Sequence, residues 1–184
     1  YKELIELLKY EKETGGYVVW VLGPACSFDT EARRVMGEII SKGYCQALLA
    51  GNALATHDLE GGYLGTALGC DIVDQKQHFM GHYNHLDTIN AINTYESIPA
   101  FIENEGIRSG IIYNCVKNDV PFVLNGSIRD DGPLPEVLED NYVTGHDTIP
   151  HTQSDCSNRH GYSSAHYSGG KHDSYLESPF GRNC

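Results

Sequence analysis

At 184 residues the chain has the size of one domain with room for a sizeable core. Its formal net charge of −12 excludes the basic face that a nucleic-acid backbone or an anionic membrane surface would demand, so a small molecule or another protein is the expected partner. No apolar run reaches bilayer length, and the six cysteines are scattered without a C-x-x-C pair, which points to a reduced, cytoplasmic setting rather than a disulfide scaffold or a structural zinc site.

In chain order, "YKELIELLKYEKET" reads as an amphipathic helix with Leu4, Ile5, Leu7 and Leu8 on one side. It carries neither an initiator Met nor a signal-peptide run, so the chain is expected to begin inside a longer protein. "YVVWVLG" follows, a β-branched and aromatic run closed by Gly23-Pro24, expected as a strand buried on both faces. Asp29 or Thr30 then caps a helix over "EARRVMGEIISKGY", which Gly43 stops. "CQALLAG" completes a strand, helix, strand unit of the kind that builds parallel sheets. Helices are expected around "HLDTINAINTYESIPAFIENEG" and "GIRSGIIYNCVKNDV", and "PFVLNG" is a short strand opened by Pro121 and closed by Gly126. The fold class is therefore α/β with a parallel sheet flanked by helices, although no Gly-rich dinucleotide fingerprint follows the first strand. Composition changes at Pro150. From there to Cys184 there is one leucine and no valine, isoleucine or methionine, too little apolar surface to offset the entropy of ordering the segment.

Ligands of parallel α/β sheets gather beyond the carboxyl ends of the strands. Three segments there combine glycine with small polar residues: "GPACSFDT" with Gly23, "GNALATHD" with Gly51, and "NGSIRDDGPLP". Glycine lets backbone amides approach a phosphate or carboxylate closely, whereas the plainer reading of each segment alone is a tight strand-to-helix turn. Arg129 can fork onto a substrate carboxylate, and Asp130 or Asp131 can hold an ammonium or act as a base; a solvated, locally paired turn is the commoner fate of such a triplet. "MGHYNHLDT" brings together His82, His85 and Asp87. The two histidines are three apart, as on one helical face, but no third ligand shows metal-site spacing, so hydrogen-bonding or acid/base roles are preferred to a metal. Cys115 and Lys117 read as a buried cysteine beside a surface lysine.

Taken together, "VLGPA", "ALLAGNALATHDLE", "GTALG", "HLDTINAI" and "SGIIYNCVKNDVPFVLNGSIRDDGPLP" resemble the C-terminal domain of the archaeal-type ornithine cyclodeaminase family. That family also bears the label lysine-oxoglutarate reductase/saccharopine dehydrogenase-like, and it includes the cyclodeaminase half of cyanobacterial bifunctional arginine dihydrolases. The resemblance runs over residues 16–149. It implies a Rossmann-like NAD-binding domain related in fold to deoxyhypusine synthase, in a homo-oligomeric full-length enzyme that converts L-ornithine to L-proline and ammonia. By the family's pattern, Asn52, Ala53 and Asp87 touch the cofactor. The catalytic base is not carried over, so His85, Arg129, Asp130 and Asp131 stand as candidates from the residues alone. A different NAD-dependent reaction on lysine or saccharopine stays open, as does a non-catalytic NAD-binding fragment.

In the family this domain continues into an aliphatic helix and a stretch resembling "AVGNMTP". Reading the degenerate codons of Ser157 to Tyr175 one base later permits "AIAMATLLHTIAVGNMTPT". The expectation is thus a partial NAD-binding domain over residues 1–149, with its N-terminal part outside this chain, and a frameshifted, poorly structured tail over residues 150–184 whose four histidines have no evolved role.

Overall fold

The computed structural model describes residues 1–138. The expectations for the tail and for the boundary near Pro150 lie outside the described residues. Four strands, β1 (Val19–Leu22), β2 (Ala47–Gly51), β5 (Phe122–Asn125) and β6 (Val137–Leu138), form a fully parallel sheet in the order β1-β2-β5-β6. A small antiparallel pair, β3 (Thr66–Ala67) and β4 (Cys70–Asp71), stands apart.

Every step from β1 to β2 to β5 moves the same way across the sheet, and right-handed crossovers then place the connecting helices on one face. The core confirms this. Leu48, Ala50 and Leu124 join one apolar cluster with Met36 and Ile40 of α3 (Thr30–Ser41), Leu54 and Leu59 of α4 (Asn52–Tyr63), and Ile111, Ile112 and Cys115 of α7 (Ile111–Lys117). Phe101 and Ile98 of α6 (Ile98–Asn104) and Ile89 and Ile92 of α5 (Asn84–Ile92) complete it. Val21, Leu49 and Val123, which alternate with these positions along the strands, stay outside the cluster.

The expectation that β1 is buried on both faces is therefore corrected. It is the edge strand of the described sheet, and Val21 is 75% exposed. An apolar run signals strand, but it does not say how many faces are covered. Helix α1 (Lys2–Thr14) forms as expected and stops at Gly15, which takes a left-handed conformation, yet it buries no residue; Leu4 and Ile5 are half exposed. Asp29 caps α3 by accepting from the Ala32 amide at 2.6 Å. The long helical run 85–106 divides into α5 and α6, because Ser97 caps a fresh helix with Pro99 in its first turn.

Candidate active site

The carboxyl ends of β1, β2 and β5 lie at one edge of the sheet, so the glycine turns at Gly23, Gly51 and Gly126 come to the same side. Each carries what its position needs. A side chain at Gly23 would meet nothing within 4 Å, which leaves open space beyond β1. Gly51 is the N-cap of α4 and offers no side chain to its first-turn amides. These amides sit at the positive end of a 12-residue helix, a fitting cradle for an anionic group. One turn further on, the buried hydroxyl of Thr56 has no hydrogen-bond partner among the described residues.

Asn52 is buried, and both ends of its amide have a partner: Nδ2 donates to the Gly132 carbonyl at 2.8 Å, and Oδ1 accepts from the Leu134 amide at 3.1 Å. This pair of bonds fastens the segment between β5 and β6 onto the start of α4. Ala53 beside it is half-buried. Within the fastened segment the three charged candidates part ways. Asp130 accepts from the Ser127 amide at 2.8 Å and so closes its own turn. Arg129 is exposed, and its backbone amide donates to Ser127 Oγ. Asp131 reaches across to α5, where His85 Nε2 lies 2.9 Å from its Oδ2.

The histidines and Asp87 of "MGHYNHLDT" do not converge. His82 lies against the Tyr83 ring at 4.1 Å, His85 turns to Asp131, and Asp87 is exposed in the first turn of α5. Cys115 is buried in the core while Lys117 lies over the Tyr113 ring at the surface. Among the described residues no three His, Cys, Asp or Glu side chains gather as a metal site would require.

Two groups in α4 were not singled out from the sequence. His57 sets its ring 6.0 Å from that of His85 and meets the edge of Phe28, from the short helix α2 (Ala25–Phe28) that follows β1, at 5.0 Å. Its Nδ1 lies 2.8 Å from Glu60 Oε2, and Glu60 is fully buried. Thr66 donates to the other Glu60 oxygen at 2.7 Å, and Asn84 donates to Thr66 at 2.8 Å. Next to them Asp58 turns to the opposite side of α4 and pairs with buried Arg33 at 2.7 Å. Burial pushes the Asp58 carboxyl upward, against the pull of Arg33 and of the Ile111 and Ile112 amides. The signal in the sequence was the run "THDLE" in a helix otherwise built mostly of Ala, Leu and Gly, where polar side chains have to be paired inside.

Residues 2–156 match the family model for the C-terminal Rossmann fold of ArgZ-like arginine dihydrolases. The ornithine cyclodeaminase of Methanothermobacter thermautotrophicus is 50% identical over 129 residues, covering 70% of this chain and 31% of that protein. The Methanocaldococcus jannaschii ornithine cyclodeaminase is 47% identical over 140 residues, 76% of this chain and 33% of its own length. The chain thus spans about a third of the archaeal relatives it matches. Among solved structures, the ternary complex of AgrE with ornithine and NAD⁺ superposes with a TM-score of 0.72 at 41% identity, over 78% of this chain and 21% of AgrE. A strand order, an uncapped helix start at the sheet's carboxyl edge and these matches lead to one conclusion: the chain belongs to the ArgZ-like C-terminal Rossmann-fold family.

Proposed function

We propose that the chain is the NAD-binding part of an ornithine cyclodeaminase, which converts L-ornithine to L-proline and ammonia. The observation that carries this reading is the 41% identity, over 78% of the chain, with AgrE, whose crystal structure was determined with ornithine and NAD⁺. The residues fit a dinucleotide. The open space at Gly23 and the uncapped first turn of α4 suit a diphosphate, and the unpartnered Thr56 hydroxyl is a polar group still to be satisfied. When bound, NAD would supply a hydride acceptor and donor, which makes the reaction redox-neutral overall.

The chain's own groups take the remaining tasks. Gly51, Asn52 and Ala53 offer backbone amides to the cofactor, since the Asn52 side chain is committed to Gly132 and Leu134. Asp87, with no partner among the described residues, accepts from ribose hydroxyls. Exposed Arg129 draws the substrate carboxylate, Asp130 fixes the turn that carries it, and His85 with Asp131 stands ready for proton transfer.

Asp87→Ala in the full-length protein should weaken NAD about tenfold, the worth of a hydrogen bond to a charged group. An unchanged dissociation constant in a fluorescence titration removes Asp87 from the cofactor site. Ornithine and lysine supplied to the same protein decide the substrate. Lysine is the second reading, because a Methanococcus maripaludis protein 44% identical to this chain, with a TM-score of 0.71, carries the LOR/SDH label.

A further inference from the structure

We propose that His57 is the proton-transfer group of the cyclisation step and that Glu60, through His57 Nδ1, is the residue that positions it. This rests on the ornithine cyclodeaminase reading.

With Glu60 as a carboxylate, the hydrogen-bond chain runs in one direction. Asn84 Nδ2 can only donate, so the Thr66 oxygen accepts and its hydroxyl proton goes to Glu60 Oε1. A Glu60 carboxylate accepts through both oxygens, so its second oxygen takes the Nδ1 proton of His57 at 2.8 Å. A neutral imidazole that donates through Nδ1 presents Nε2 as a base. Among the described residues Nε2 has no hydrogen-bond partner. The His57 side chain is 12% exposed, against Phe28 from the segment after β1 and 6.0 Å from His85, which holds Asp131 from the segment after β5. A base aimed by a buried carboxylate therefore stands where the segments from three strand ends meet. A core histidine needs only a partner for each nitrogen; this one has a three-member relay on one nitrogen and, among the described residues, nothing on the other.

The cyclisation step needs such a group. Ornithine enters with its δ-nitrogen as an ammonium, which cannot attack. After the α-carbon has been oxidised to the imine, His57 Nε2 takes a proton from the δ-ammonium. The freed δ-nitrogen forms a bond to the α-carbon, and the bond from that carbon to the α-nitrogen breaks. Before that bond breaks, His57 returns its proton to the α-nitrogen and takes the second proton of the δ-nitrogen, which it passes to the ammonia that leaves, so the cycle consumes no net proton and leaves a protonated cyclic imine.

The last half-reaction, reduction of the cyclic imine 1-pyrroline-2-carboxylate by NADH, requires no exchange of amines. In the full-length protein, His57→Asn should lower kcat for ornithine by 10²–10⁴-fold, the usual worth of a positioned acid–base group. It should leave NAD affinity and cyclic-imine reduction within about threefold of the parent, on the order of 0.7 kcal/mol or less. Glu60→Gln should lower kcat rather than raise KM and displace the acid limb of the pH–rate profile, whereas Glu60→Asp should recover part of the rate. Histidine ¹⁵N spectra of the parent should show His57 protonated at Nδ1, a readout that needs no variant. Loss of both half-reactions in His57→Asn, full ornithine turnover in that variant, or an Nε2-protonated His57 in the parent overturns the proposal. A parent that makes no proline from ornithine overturns the underlying reading instead.

Discussion

Asp58 receives three hydrogen bonds on one carboxylate, from Arg33 Nε at 2.7 Å and from the Ile111 and Ile112 amides at 2.9 and 2.8 Å. Arg33 also donates through Nη2 to the carbonyls of Asp58 and Ser109. Both side chains are almost wholly withdrawn from water. Such a pair adds little over a well-packed apolar pair, but breaking it strands a charge. Asp58→Asn leaves the guanidinium without its counter-charge and turns one acceptor oxygen into a donor facing an amide. We expect a loss of about 3–5 kcal/mol, read as a fall in the urea midpoint with an unchanged slope. A loss below about 1 kcal/mol, the scale of a surface pair, means that the pair is hydrated in solution. His57 and Asp58 are neighbours in sequence on different sides of α4, so this test of the scaffold is independent of the test of the proton relay.

Helix α7 shows why some elements were legible and others were not. Seven residues are too few for a helix to stand alone, and Gly110 at its N-cap supplies no side chain. Asp58, more than fifty residues earlier, takes two of the orphan amides at its start, a pairing that no local pattern reveals. Gly110 holds φ at 125°, and a Cβ there would lie 2.6 Å from Arg33 Nη2 and 2.7 Å from Asp58 Oδ2. Gly110→Ala should therefore cost about 1–3 kcal/mol through backbone strain and crowding. A urea midpoint equal to the parent's shows that the clamp yields. The strands β1, β2 and β5 and the capped helix α3 were readable, because β-branched runs, an Asp cap and glycine stops act within a few residues. What escaped depends on tertiary partners. The run "THDLE" became a buried His–Glu pair and a buried ion pair, and Asn52 became a fastener for a loop eighty residues away. Asp131 was readable only as a charge in a turn; its approach to His85 comes from that fastening.

At the scale of the whole molecule, the described sheet has helices on one face and a third of the family's length to work with. A doubly wound sheet covers both faces, whereas among the described residues β1 is an edge strand on which Val21 stands 75% exposed. Leu68, Val73, Phe79 and Met80, in and after the β3–β4 pair, add further exposed apolar surface. Net charge of −12 opposes association at low ionic strength, but salt of about 0.15 M shortens the Debye length to roughly 8 Å and weakens that protection. The isolated chain should therefore self-associate as salt and concentration rise, in sedimentation velocity runs. Val21→Lys places a charge on the open edge, the device by which natural sheets block edge pairing. It should suppress the larger species while shifting the urea midpoint by no more than about 0.5 kcal/mol equivalent, as surface changes do. If Val21→Lys instead destabilises by more than about 1.5 kcal/mol, the lower end for uncovering a packed valine, then Val21 is covered in solution and β1 is not an open edge.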